Sequence, residues 1–195
     1  IVLAWPSGNA MRAVDRLQRA GIHILSIESR TLADIPRAIR AIGAAAGTSA
    51  HAANVASRFE RLLEELRAAS ADRSPVRTFV EVWSTPLMTV NGTHLISDVL
   101  EHCAARNVFA DAPFLTPVVA IERVLAARPA LVIANADADD ASKPMRNRLA
   151  RGGATAHVVS IPSAILHAQT PRLQDGIRAV CAATASVRRA EGQVR

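Results

Sequence analysis

Few side chains in this sequence are arranged for chemistry. The six histidines, His23, His51, His94, His102, His157 and His167, are scattered, and none stands at metal-site spacing from a cysteine. His94 and His102 are eight positions apart on one helical stretch and share a face at most. Asp137, Asp139 and Asp140 cluster after an apolar strand. They have neither the glycine turn nor the distal glutamate of a calcium loop, so a solvated loop accounts for them better than a metal site. There is no G-x-G-x-x-G before a helix, no Walker sequence and no G-x-S-x-G elbow. No resident cofactor, metal or catalytic set is indicated. What remains is two tryptophans, Trp5 in a Pro-Ser-Gly loop and Trp83 at the end of an alternating strand, and two cysteines, Cys103 and Cys181. An exposed tryptophan offers a flat apolar surface to a ligand, and a buried one is core. The two cysteines are either a disulfide or a pair of buried thiols.

The elements that must position these residues follow an α/β order. Ile1–Ala4 reads as a strand with nothing before it, so the first lobe is expected to be truncated at its N-terminus. Asn9 is placed as the cap of a helix through Ala20, ended by Gly21. His23–Ile27 is a second strand. Thr31 is placed as the cap of a helix through Ala46, with Leu32, Ile35, Ile39 and Ile42 on its apolar face, and Gly47 stops it. Thr48–Ala69 carries neither glycine nor proline, and Val55, Phe59, Leu62, Leu63 and Leu66 form one stripe along it. This predicts a helix roughly 30 Å long. A polar break at Ala71–Pro75 opens a second α/β half: strand Val76–Trp83, loop Ser84–Thr93, helix His94–Ala105, a short extended piece at Asn107–Phe109 and a loop over Asp111–Pro117. Helix Val118–Ala127, strand Leu131–Ala134, helix Lys143–Ala150, strand His157–Ile161, loop Pro162–Pro171 and helix Arg172–Arg189 complete it. The expected domains are residues 1–47 as the remainder of an N-terminal α/β lobe, 48–70 as an inter-lobe helix and 71–195 as a C-terminal α/β lobe.

Composition narrows the function classes. The chain has 195 residues and a net charge of +6, with an isoelectric point near 11.0. Its arginines recur at helical spacing opposite apolar residues, which is the pattern of solvated faces. Aromatic residues are 3% and tyrosine is absent, so base-stacking platforms are nearly missing and nucleic acid is not an expected partner. No apolar run reaches the length of a membrane span.

The ordered set of short stretches along the chain resembles a known family. Leu3–Asn9, Leu32–Ile35, Pro86–Gly92, Ile96–Cys103, Arg106–Asp111, Pro117 and Glu122–Leu125 together are similar to cobalamin-binding periplasmic solute-binding proteins of ABC importers, in the helical-backbone metal-receptor superfamily. The resemblance implies two doubly wound lobes joined by a single long backbone helix, with a corrinoid held in the cleft between them. It implies a monomer in the periplasm that hands cobalamin, as transported ligand, to the membrane permease of an importer, and no enzymatic activity. Ligand contacts are implied at Trp5, Pro6, Ser7, Gly8, Trp83, Ser84, Phe114, Leu115, Thr116, Leu166 and His167. Glu122 matches a permease-docking glutamate of the second lobe, while its first-lobe counterpart is Met11, with Glu28 as a substitute. Cys103 and Cys181 match a disulfide of the C-terminal lobe. Thr116 and Ala164 depart from the family pattern, standing where a known member has a tryptophan and an acidic residue. These departures leave heme or a siderophore as an alternative ligand on the same fold. A cytosolic α/β enzyme or nucleotide-binding domain is the other reading, and it predicts reduced cysteines.

Overall fold

The computed structural model describes residues 1–5, 10–135 and 142–192. The chain divides into two compact units, Ile1–Arg61 and Leu62–Arg195. The first holds β1 (Val2–Ala4), α1 (Met11–Arg19), β2 (Ile24–Ser26), α2 (Asp34–Ala45) and the start of α3 (Ser49–Ser70). β1 and β2 pair in parallel, Val2 opposite Ile24 and Ala4 opposite Ser26. Parallel neighbours need a crossover, and α1 supplies it. Gly21 and Gly47 adopt φ +77° and +69° just past α1 and α2, a conformation that glycine takes without strain. The cap of α2 differs from expectation. Asp34, not Thr31, is the acceptor: its carboxylate takes the backbone N–H of Thr31 at 2.7 Å and of Arg30 at 2.9 Å. Leu32, Ile35, Ala52, Ala56 and Phe59 are buried. Arg40 grips Glu60 with both terminal nitrogens, at 2.6 and 2.7 Å.

α3 runs unbroken through 22 residues, so the boundary between the two units falls inside one helix. The second unit continues with β3 (Val76–Val80), β4 (Trp83–Ser84), β5 (Leu87–Met88), α4 (Leu95–His102), β6 (Ala105–Asn107), α5 (Ile121–Ala126), β7 (Leu131–Asn135), α6 (Ser142–Arg151), β8 (His157–Ile161), α7 (Ser163–Leu166) and α8 (Leu173–Gly192). Its sheet has the order β6-β3-β7-β8, and every pairing in it is parallel. β7 reads Leu-Val-Ile-Ala-Asn with its first four residues buried, because a strand covered on both faces needs a continuous apolar run rather than alternation. Phe79, Phe109, Val124, Val132, Met145 and Leu149 form one core cluster. The Phe79 and Phe109 rings meet edge to face at 5.7 Å. Cys103, the C-cap of α4, is joined to Cys181 of α8 by a disulfide. The resemblance implied this bridge, and it removes the buried-thiol alternative.

Three stretches differ from the sequence reading. Ser84, Leu87 and Met88, within the expected Ser84–Thr93 loop, pair with Trp83 and one another in the β4–β5 hairpin, whose turn contains a cis Thr85–Pro86 peptide. The expected helix over Val118–Ala127 starts only at Ile121. Val118 lies extended and bridges Met88 instead. Its β-branched side chain favours that extended state. The expected Pro162–Pro171 loop contains the single turn of α7.

Candidate functional site

The sheet of the second unit reverses its winding between β3 and β7. From β3 the chain steps to β6 on one side, then to β7 and β8 on the other. In an open parallel sheet, ligands bind outside the carboxyl ends of the strands at such a switch point. The chain leaving β3 at this point is Glu81, Val82 and Trp83. The Glu81 N–H bonds the Ile133 carbonyl of β7 at 2.8 Å, which continues the ladder to the rim of the sheet.

At that rim the hairpin builds an apolar platform. Trp83 faces Met88, and Ser84 faces Leu87. Met88 is bridged in turn by Val118. The Val119 N–H bonds the Leu87 carbonyl at 2.9 Å and the Thr89 N–H bonds that of Pro117 at 3.1 Å. Directly opposed residues share a face, and successive residues alternate. Leu87 and Val119 therefore point into the core, at 9% and 8% exposure. Trp83 and Val118 point outward, at 58% and 63%, with Met88 between them only partly covered. Phe114 and Leu115, on the loop leading into this strand, are exposed at 71% and 51%. Apolar residues gathered on one surface mark a binding site more often than chance exposure does. The Trp83 indole N–H is already satisfied, donating to the Thr85 carbonyl at 2.9 Å.

The loops beneath the platform are tied by a buried polar network. The Asn107 amide donates to the Val90 carbonyl at 2.8 Å and to Ser97 Oγ at 2.9 Å, and its oxygen accepts the Phe109 N–H at 2.8 Å. Ser97 Oγ donates to the Asn91 carbonyl at 2.6 Å, and the Asn91 amide donates to that of Ala112 at 3.1 Å. Satisfied networks of this kind fix one arrangement. Behind the hairpin, Arg148 of α6 donates to the Ser84 carbonyl from both terminal nitrogens, each at 3.2 Å. Glu81 is buried, and that burial raises its carboxyl above the usual range, with the Arg148 charge opposing the shift.

The remaining sequence-derived residues fall as follows. Trp5 is half exposed just after β1 of the first unit. Pro6, Ser7, Gly8 and Asn9, with Asp137, Asp139 and Asp140, lie outside the described residues. Trp83, Ser84, Phe114, Leu115 and Thr116 come together on the hairpin and the loop that joins it, and all are exposed. Leu166 is corrected: its side chain is 2% exposed and packed inside the second unit, so it supports a surface rather than forming one. His167 is exposed at the end of α7. It adds to the shift at His94, whose imidazole is lowered to about 4, first by burial and then by the nearby His167. His94 Nδ1 accepts the Ile96 N–H at 3.1 Å and thereby caps α4. Glu122 is exposed in the first turn of α5. Met88 and Val118 were missed as site residues. The signal was the alternation around buried Leu87, which reading 84–93 as a loop concealed. Among the described residues, no group of three or more His, Cys, Asp or Glu is placed to hold a metal ion, and no helix is long and apolar enough to cross a membrane.

No family model matches the chain. Individual relatives do. The Vitamin B12-binding protein of Vibrio cholerae serotype O1 is 28% identical over 183 residues, which are 93% of this chain and 66% of that protein. That of Vibrio parahaemolyticus serotype O3:K6 is 29% identical over 97% of this chain and 70% of its own length. The chain thus spans about two thirds of the length of these curated relatives. Among solved structures, the periplasmic vitamin B12 binding protein BtuF of Vibrio cholerae superposes with a TM-score of 0.83 at 26% identity, over 95% of this chain and 74% of that one. The periplasmic heme-binding protein BhuT, in complex with two hemes, superposes at 0.81 with 20% identity over 95% and 75% of the two chains, a likeness of fold alone. These relatives are named for binding rather than for a reaction. Along nearly its whole length the chain is similar in sequence, and in fold, to the vitamin B12-binding proteins.

Proposed function

We propose that this protein is a substrate-binding protein that captures a corrinoid and delivers it to the permease of an ABC importer, acting as a periplasmic monomer without enzymatic activity. The outward row Trp83–Met88–Val118 at the switch point of the sheet, in a relative of vitamin B12-binding proteins, carries this reading. A corrinoid presents a broad apolar face and a rim of amides. A flat apolar platform suits the face, and a polar group such as the Thr116 hydroxyl suits the rim. Covering about 200 Å² of apolar surface contributes roughly 5 kcal/mol before the costs of association. Trp5, with Pro6, Ser7 and Gly8, is assigned further ligand contact, and His167 a polar one. Glu122 is assigned to permease docking. The domain reading is retained as part of the proposal: α3 acts as the backbone helix between an N-terminal lobe and a C-terminal lobe.

The second reading is heme or a siderophore. The heme-binding fold neighbours favour it, and the absence of tyrosine from the sequence disfavours a phenolate-ligated heme. Isothermal titration with cyanocobalamin and, separately, with hemin decides between the two. Saturable binding of cyanocobalamin at one site is the expected result. Hemin binding without cobalamin binding moves the substrate to the second reading.

A further inference from the structure

An aromatic ring serves as a platform only if the backbone that carries it stays in place. The strand carrying Trp83 is two residues long, and so short a ribbon holds little by itself. The indole N–H bond to the Thr85 carbonyl ties the ring to its own turn, not to the rest of the unit. The β5 side of the hairpin is tied down by the strand through Val118 and Val119. The β4 side is met by Arg148, whose two terminal nitrogens both reach the Ser84 carbonyl.

Arg148 is itself constrained. Glu81, two residues before Trp83, is 6% exposed, and its Oε2 has no hydrogen-bond partner. A buried carboxylate so placed is costly unless a positive charge stands near it. The electrostatic interaction between Glu81 and Arg148 supplies that charge. The guanidinium therefore bonds a strand carbonyl while its charge acts on a buried acid. A planar fork meets this arrangement better than an ammonium point charge does.

We propose that Arg148 is the positioning residue of the ligand platform, fastening the Trp83 edge of the hairpin to α6 so that the indole is presented to a flat macrocyclic ligand in one orientation. The ligand named here rests on the corrinoid reading, while the positioning of the ring does not depend on it. Preorganisation of this kind acts mainly on how long a ligand stays, because a loosened platform still meets its ligand but holds it less well.

The test combines two measurements. In a W5F background Trp83 is the sole tryptophan, and its acrylamide quenching and fluorescence anisotropy are read without ligand. In the otherwise unaltered protein, association and dissociation of cyanocobalamin are timed. R148Q is expected to lower the anisotropy, increase the quenching and raise the Kd about tenfold, almost entirely through faster dissociation. R148K falls between R148Q and the parent. R151Q, on the same helix, behaves as the parent. E81Q/R148Q removes the buried charge along with its partner and regains whatever stability R148Q loses, yet keeps the loose ring and the weak binding. Unchanged Trp83 quenching and anisotropy in R148Q would overturn the proposal, and so would full recovery of binding in E81Q/R148Q. Failure of the parent protein to bind cyanocobalamin would overturn the corrinoid reading instead, with the ligand-free fluorescence still deciding whether Arg148 fixes the ring.

Discussion

The Trp83 side chain carries a large apolar surface at 58% exposure while its one polar atom is already bonded inside the turn. Removing the ring therefore deletes surface and leaves no unpaired donor behind. W83A is expected to weaken cyanocobalamin binding by about tenfold to a hundredfold, the range for a truncated aromatic anchor, with little change in the denaturation midpoint. A titration that finds affinity unchanged would remove Trp83 from the site. His94 makes a second residue-scale prediction. Its Nδ1 accepts a backbone N–H, so the capping form is the neutral one, and protonation both breaks the cap and sets a positive charge at a helix N-terminus. Its folded value, about 4, lies below the ordinary 6.5. Between these values the unfolded chain takes up a proton that the folded chain refuses. The contribution of His94 is complete above pH 6.5 and is lost as pH falls toward 4, by up to about 3 kcal/mol. H94N keeps a capping side chain without the titration, so its stability measured by urea denaturation should fall less steeply across that window. His102 works in the opposite sense. The hydrogen bond to Asp98 raises it, so its contribution is complete below 6.5 and fades above.

Between elements, the tie most open to measurement is the Cys103–Cys181 bridge, which joins the end of α4 to α8 across a separation of 78 residues. A loop of that size corresponds to about 4 kcal/mol of chain entropy removed from the unfolded state, on the simplest model. C103A/C181A, or addition of reductant, is expected to lower stability in denaturant titrations by up to that amount. A loss below about 1 kcal/mol would mean that the native packing of α4 on α8 needs no cross-link. The order of elements was legible in the sequence because strands such as Leu131–Asn135 are short apolar runs and helices such as Ser49–Ser70 carry one apolar stripe without glycine or proline. The platform was not. β4 and β5 are each two residues long, too short for any period to register. Val118 precedes a real helix and was absorbed into it, although its partner Met88 lies thirty positions earlier in the sequence. Leu166 shows the converse error. A residue placed by resemblance near a ligand turned out to be core, because position in an alignment carries no information about which way a side chain points.

For the molecule as a whole, the proposed docking to a permease can be tested separately from ligand capture. Glu122 stands exposed in the first turn of α5. Exposed ion pairs contribute roughly 0.2–1 kcal/mol and act chiefly on association rate. E122A should leave the titration with cyanocobalamin unaltered and slow uptake in a reconstituted importer, most visibly at low salt. Loss of ligand affinity in that variant would withdraw the docking role. The alternation along the ribbon has a further consequence, which concerns descent rather than mechanism. Leu87 and Val119 answer to the core, while Trp83, Met88 and Val118 are less constrained by it. Mutations on the two faces are thus judged by different criteria, one by whether the chain folds and the other by what it holds. A lineage can exchange its outward residues one at a time without passing through unfolded ancestors. Such modularity would let a single scaffold diversify what it holds.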